Sequence, residues 1–351
     1  MDKKIKIGNK SIGLDCPVFV IAEISGNHNQ SFNRAKKIVE EACLAGVDAV
    51  KLQTYTPDTM TINCDNKWFQ VGSTNKEWRG QTLYSLYRKA YTPWEWQPKL
   101  QKITKKYGVL LFSTPFDSTA VDFLEKMKIP AYKVASFEIG DLELLKKIGS
   151  TKKPVIISRG MANLKEIKLA IKTLKNAGAP SAAVLHCVSS YPANPNEMNI
   201  STIPVLRKKL RTIIGISDHN LDSSVTIGAV ALGAKIVEKH VTLKRSDGGP
   251  DATFSLEPKE LKELVRSIRT VERSLGKSQI IAGKRESTNL IFRRSLFVVK
   301  DVKRGDKLSR INVRCIRPGY GLRPKFLNKV LGKKFKKDVK IGTPLAWDII
   351  D

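Results

Sequence analysis

The chain of 351 residues is poor in the features that mark several protein classes. No apolar run is long enough to span a bilayer, which argues against a helical membrane protein. The start, Met1-Asp2-Lys3-Lys4-Ile5-Lys6, lacks the apolar stretch of a signal peptide, so a cytoplasmic protein is expected. The five cysteines (Cys16, Cys43, Cys64, Cys187 and Cys315) are odd in number, dispersed and never in a CxxC pair. They read as reduced thiols and exclude a disulfide framework or a cysteine zinc site. Acidic residues are scarce, 33 against 62 Lys and Arg, giving a net charge of +29. That excess would fit a nucleic-acid binder. Yet the basic residues are scattered singly, without aromatic interleaving or a binding motif, and a basic surface that attracts anionic substrates fits better. No bias toward disorder accompanies the 41% apolar content.

What is present is an alternation. Short Val/Ile/Ala-rich runs alternate with helical periodicity, the pattern of βα units around a parallel sheet. Eight strands are predicted: Val18–Glu23, Ala49–Gln53, Val109–Ser113, Ala131–Ala135, Val155–Ser158, Ala182–Cys187, Ile213–Ser217 and Lys235–His240. Helical stretches such as Phe32–Leu44, Pro93–Tyr107, Ser118–Met127, Asn163–Lys175 and Ser223–Leu232 separate them, and another opens near Pro258. Eight repeats in about 275 residues match a (β/α)8 TIM barrel. An insertion over Thr54–Thr92, with Trp68, Trp78 and several tyrosines, is expected to lie over the barrel mouth.

In such barrels the active site lies at the C-terminal ends of the strands. Polar residues gather there: Glu23, Lys51 with Gln53, Thr114, Lys133 with Ser136, Ser158, Ser189 with Tyr191, Ser217 with His219, and Glu238 with His240. All four histidines, His28, His186, His219 and His240, fall at or just beyond strand ends. Side chains alternate along a strand, so Glu238 and His240 point the same way. If their strands are neighbours, His219 and His240 are placed to share a metal ion with Glu238 beside it; the alternative is a buried histidine satisfied by hydrogen bonds.

After Ser278 the pattern changes. The expected organisation is a catalytic barrel over residues 1–277, a linker over 278–290 and a small β-rich domain over 291–351. The last segment carries 17 Lys and Arg against 5 Asp and Glu. Lys300-Asp301-Val302-Lys303-Arg304-Gly305 is echoed by Lys337-Asp338-Val339-Lys340-Ile341-Gly342, which suggests a pseudo-two-fold axis. Arg317-Pro318-Gly319 stands out as a turn able to project its arginine.

Several segments together resemble the sialic acid synthase family. They include Ala22-Glu23-Ile24-Ser25-Gly26-Asn27-His28-Asn29, Lys51-Leu52-Gln53-Thr54-Tyr55, Tyr132-Lys133-Val134-Ala135-Ser136, Gly215-Ile216-Ser217-Asp218-His219 and Val237-Glu238-Lys239-His240. Gly249-Pro250-Asp251 and Arg317-Pro318-Gly319 continue the match, over essentially the whole chain. Within the family, Leu83-Tyr84-Ser85-Leu86-Tyr87, Thr92-Pro93-Trp94-Glu95-Trp96 and Gly321-Leu322-Arg323-Pro324-Lys325-Phe326 are similar to the pseudaminic acid synthases.

The resemblance implies a barrel followed by an antifreeze-like (SAF) domain. It implies condensation of phosphoenolpyruvate with a 2-acetamido aldose to a nine-carbon 2-keto acid, with release of phosphate. For the pseudaminic branch the sugar is 2,4-diacetamido-2,4,6-trideoxy-L-altrose. The implied phosphoenolpyruvate contacts are Lys51, Thr114, Lys133, Ser136, Ser158, Ser189 and Ser217, and those of the sugar are Glu23, Gln53, Tyr191 and Asp251. His219 and His240 would hold a divalent ion, manganese by ligand type, with magnesium or cobalt as substitutes. Arg317 would reach the site of the partner in a domain-swapped homodimer. The chain departs from the family in having Ser189 where asparagine is common and Ser158-Arg159-Gly160 where Ser-Thr-Gly is common. Arg159 either adds a cation to the phosphate site or points outward. N-acetylneuraminate and legionaminic acid synthases share the chemistry and remain alternatives, as, more remotely, does the nucleic-acid binder.

Overall fold

The computed structural model describes residues 4–72, 79–278 and 280–351. The chain divides into two compact units, Met1–Gly276 and Lys277–Asp351. The first opens with an antiparallel hairpin, β1 (Ile5–Ile7) and β2 (Lys10–Ile12), whose isoleucines are buried. Gly8 turns the hairpin at φ +57°, and a Cβ there would lie 2.9 Å from Leu110, at the N-terminal end of its strand. The hairpin therefore plugs the bottom of the barrel and leaves the other end for the site.

Eight parallel strands follow: β3 (Phe19–Glu23), β4 (Ala49–Thr54), β5 (Leu110–Pro115), β6 (Tyr132–Val134), β7 (Val155–Ser158), β8 (Ala182–Cys187), β9 (Ile214–Asp218) and β10 (Ile236–His240). They close into a barrel in chain order, with β10 returning to β3. This is a TIM barrel, with strands within two residues of the predicted bounds. Closure places His240 beside Glu23, Glu23 beside Lys51 and Glu238 beside Ser217 in register. The final helix, Pro258–Leu275, helps to seal the seam. Its Arg269 donates to the Val18 carbonyl (2.8 Å) and to Asp48 (3.1 Å), and its Glu272 accepts from the Val18 amide.

The surrounding helices start at residues suited to the task. Ser31, Asp117, Asn163 and Asp222 each accept a hydrogen bond from the first turn of the helix they precede. Among the described residues no helix is long and apolar enough to cross a membrane.

The second unit pairs β11 (Ser295–Val298) with β12 (Val313–Ile316) around a small core including Leu296, Val313, Phe335 and Leu345. Its internal repeat is structural. Val302 and Val339, equivalent in the two copies, exchange backbone hydrogen bonds of 3.0 Å each way. Lys303 binds Asp338 at 2.8 Å, and its counterpart Lys340 binds Asp301, the counterpart of Asp338, at 2.8 Å. Arg304 and Ile341 amides likewise donate to Asp338 and Asp301. The pseudo-two-fold axis passes between the copies.

Candidate active site

The C-terminal ends of the strands surround a cavity of about 470 Å3, lined within the first unit by strand ends and by the insertion after β4. Its floor is ionic. Lys51 pairs with Glu23, lies 3.8 Å from Glu238 and donates to Thr114 Oγ1 at 3.3 Å. Lys133 donates to Ser158 Oγ (2.7 Å) and the Val134 carbonyl (3.0 Å), with Glu238 at 3.9 Å. Ser217 donates to Glu238 at 2.8 Å. These groups are all buried. Isolated charges would be costly there, so each is held by an opposite charge or a hydroxyl.

The two lysines respond differently to this setting. Burial alone would lower Lys51, but Glu23 and Glu238 together outweigh it and hold the ammonium above the usual lysine range. Lys133 is lowered by burial, partly offset by Glu238. Burial pushes Glu23 up against the pull of Lys51. It acts the same way on Glu238, where Lys133, Lys51 and Ser217 prevail and keep the carboxylate low. Two cations balance two carboxylates, and a proton taken up by Glu23 turns the floor positive.

His219 and His240 stand beside this floor with ring centroids 5.3 Å apart. Burial lowers both, His240 well below the ordinary imidazole value, so both rings are neutral at neutral pH. His219 Nδ1 donates to the Val188 carbonyl at 3.0 Å, which leaves Nε2 as a lone-pair donor. His240 Nδ1 is buried without a hydrogen-bond partner, and Asp251 Oδ2 lies 3.7 Å from it. Neutral nitrogens, one of them unpartnered, suit a divalent cation that takes its other ligands from water or substrate. Glu238 does not complete the set, because its carboxylate faces the lysines and Ser217. Among the described residues no three His, Cys, Asp or Glu side chains gather as a metal cluster.

Lys51, Gln53, Lys133, Ser136, Ser158, Tyr191, Ser217, His219, His240 and Asp251 all line the cavity. Glu23 and Thr114 lie beneath it and reach it through Lys51. Ser189 meets it through Ser136, the hydroxyls being 2.7 Å apart. Gly160 (φ +45°) permits that approach, since a Cβ would come within 2.3 Å of the Ser136 Cβ. Asp251 accepts from Ser25, and burial raises it to about 6. Tyr191 packs on His219 with centroids 4.4 Å apart. Arg317 belongs to the second unit and is exposed there.

One open sequence reading is corrected, that of Arg159, and the two histidines outside the candidate site find other partners. His28 is buried against Thr92 (3.2 Å) and Trp96, and His186 is held by the Met198 carbonyl and Arg159. Arg159 fulfils neither expectation, since its guanidinium donates to His186 Nδ1 at 3.1 Å and to the Gly160 carbonyl at 3.1 Å. The insertion lies at the barrel mouth as expected, with Tyr55, Met60, Leu83 and Tyr87 lining the cavity; of its tryptophans, Trp68 is exposed and Trp78 falls outside the described residues.

Sequence reasoning placed the insertion at the mouth but did not say which of its side chains line the cavity. Tyr55 and Phe116 contribute to it from the loops after β4 and β5, and the insertion adds Met60, Val71, Leu83, Leu86, Tyr87 and Ala90. The helix Leu83–Ala90 carries four of these, and Thr82 caps it by accepting from the Ser85 amide. Glu138 also lines the cavity. Burial raises its carboxyl to about 7, and its Oε2 has no partner. The Leu83/Leu86/Tyr87 spacing was a usable signal for a helix face, but nothing local said what the face covered.

A barrel mouth with buried lysines, hydroxyls, carboxylates and two neutral imidazoles has the groups to bind a small anion beside a polarisable second substrate. The chain belongs to the NeuB family, which residues 38–280 match, and residues 293–350 match the SAF domain. It is an enzyme of the sialic acid synthase type. The pseudaminic acid synthase of Campylobacter jejuni is 39% identical over 341 residues, covering 97% of this chain and 98% of that protein. The pseudaminic acid synthase of Helicobacter pylori is also 39% identical, covering 95% and 98%. Among solved structures, the N-acetylneuraminic acid synthetase of Leptospira borgpetersenii superposes with a TM-score of 0.73 at 33% identity, covering 83% of this chain and 96% of that one.

Proposed function

We propose that the chain is a pseudaminic acid synthase, condensing phosphoenolpyruvate with 2,4-diacetamido-2,4,6-trideoxy-L-altrose to a nine-carbon 2-keto acid and releasing phosphate. The observation that carries the reading is the ionic floor beside two neutral histidines. Lys51 and Lys133, with Thr114, Ser136, Ser158, Ser189 and Ser217, bind the phosphate and carboxylate of phosphoenolpyruvate by charge-assisted hydrogen bonds. Its C3 attacks the aldehyde carbon of the open-chain sugar, and water later adds at C2.

Glu23, pushed up by burial against the pull of Lys51, orients the sugar and relays a proton at its carboxyl. Gln53, Tyr191 and Asp251 hold the sugar's polar groups. His219 and His240 would hold a divalent ion, manganese in this reading, which supplies Lewis acidity toward a carbonyl oxygen. Residues 1–277 carry catalysis, 278–290 tether and 291–351 form the SAF domain, in a cytoplasmic enzyme.

The reading includes a homodimer in which Arg317 of one copy contacts the sugar in the other. Arginine suits this role because its planar fork keeps its charge and sets direction. Arg317→Ala and His240→Ala chains, each inactive alone, are expected to regain activity as a mixed dimer; no recovery from verified heterodimer rejects the sharing.

The function is tested by incubating phosphoenolpyruvate and manganese with a sugar panel and weighing the products. The diacetamido L-altrose is expected to react best. Preference for N-acetylmannosamine or the D-configured diacetamido sugar would instead assign an N-acetylneuraminate or legionaminic acid synthase.

A further inference from the structure

Arg159 has no place in the ionic floor, yet it stands half-buried directly after Ser158, at the end of β7. Its amide extends the ladder to β8 by donating to the Leu185 carbonyl at 3.0 Å. Its side chain bridges two elements. Nη1 donates to the Gly160 carbonyl and Nε to His186 Nδ1, each at 3.1 Å. A guanidinium only donates, so Nδ1 accepts, the ring proton sits on Nε2, and Nε2 donates to the Met198 carbonyl. Burial first and the guanidinium second lower His186 against the pull of that carbonyl, which favours this neutral tautomer. The result is a continuous strut from Gly160 through Arg159 and His186 to Met198. Gly160 lies where a Cβ would come within 2.3 Å of the Ser136 Cβ and 2.8 Å of Ser189 Oγ, so its position sets the gap in which the two hydroxyls meet at 2.7 Å. Met198 ends the loop after β8 that carries Ser189. His219 pins that loop at Val188 (3.0 Å) and Ala193 (3.2 Å), and the strut anchors its far end.

We propose that Arg159 is a positioning residue for phosphoenolpyruvate: through Gly160 and through His186 it fixes the spacing of the Ser136 and Ser189 hydroxyls, without touching the substrate itself. This rests on the synthase reading above. Two hydroxyls already held at one spacing bind an anionic group without first giving up side-chain and loop freedom. Arginine suits the strut because its planar fork aims two donors in fixed directions, whereas a lysine ammonium is a point charge on a flexible stem. The charge of Arg159 is separable from its fork. It acts on Cys187, which lines the cavity, so a lysine at position 159 tells the two contributions apart.

The test titrates phosphoenolpyruvate, with manganese present, into the wild type, Arg159→Met and Arg159→Lys. Both variants are expected to bind it about 10-fold more weakly, the low end for a hydrogen bond to a charged group. The KM of the sugar selected by the panel should stay within about 2-fold, because Tyr191 is held separately by packing on His219 and Phe254. On a Ser189→Ala background, Arg159→Met should add about 2-fold or less, since it acts through that hydroxyl. Wild-type affinity in Arg159→Lys means that charge suffices and overturns the inference. Unchanged affinity in folded Arg159→Met, an equal rise in the sugar KM, or an undiminished loss on Ser189→Ala overturns it too. Arg159→Lys keeps the charge and carries the test should Arg159→Met not fold. A wild type that binds phosphoenolpyruvate keeps the synthase reading standing whatever the variants do, and one that does not bind it removes both.

Discussion

The two units use the same pair of groups, lysine and carboxylate, in opposite ways. In the barrel, the Lys51 and Glu23 side chains are 5% and 0% exposed. In the second unit, those of Lys303 and Asp338 are 81% and 59% exposed. Water solvates the exposed pair whether or not it forms, so the contact mostly tidies the symmetry of the two repeats. The buried pair has no such alternative, and removing one member strands the other. The barrel keeps its ionisable groups where burial and the opposing charges set their protonation. The second unit leaves its charge on the surface.

The largest effects should come from the buried side of this contrast. His219→Ala or His240→Ala is expected to abolish turnover while circular dichroism and thermal unfolding show the barrel intact, and EDTA should silence the wild type until manganese is restored. Near-normal metal-dependent activity in either variant would refute the assignment.

A division within the floor is next. Lys133→Ala should weaken phosphoenolpyruvate binding by roughly 10- to 100-fold, the usual worth of a hydrogen bond to a charged group. Glu23→Gln should leave that binding nearly unchanged and depress kcat. Equal loss of affinity in the two variants, measured by titration, would erase the distinction.

Glu138 tests the buried side through pH. Its carboxyl is raised from 4.5 to about 7, so between those values the folded chain binds more protons than the unfolded one. Stability is then lost as pH rises through that window, with the full loss in place above it, on the order of 3 kcal/mol at most. Glu138→Gln removes the titration. Its melting temperature should gain on that of the wild type between about pH 5 and about pH 8. A constant difference across that range would place Glu138 in an ordinary solvated environment. The smallest effect belongs to the exposed pair: Lys303→Ala should leave the melting temperature unchanged within error, and a clear drop would mean the contrast between the units is overstated.

The barrel was legible because its signals are local. Each βα unit announces itself by a short apolar run and a helical period, and eight in order admit few topologies. Strand-end positions followed, so Lys51, Lys133, Ser158, Ser217, His219 and His240 could be gathered before any coordinates. The 37-residue repeat pointed to a pseudo-two-fold arrangement for the same reason, since equivalent sequences adopt equivalent conformations; the reciprocal Val302–Val339 and Lys–Asp contacts appear only in the structure. Strand register alone, however, could not separate the histidines. His186 and His219 both close strand regions, yet one is satisfied by the Met198 carbonyl and Arg159 while the other faces the cavity.

By itself the sequence determined the alternation that closes the barrel, the end of it that carries chemistry and the residue types waiting there. Tertiary structure alone decided the partners. It turned Glu238 toward two lysines instead of the histidines, folded Arg159 onto His186, and brought the Leu83–Ala90 helix over Tyr55 and Phe116. These outcomes depend on contacts between residues far apart in the chain, where burial removes water and leaves each polar group to the neighbours that packing supplies.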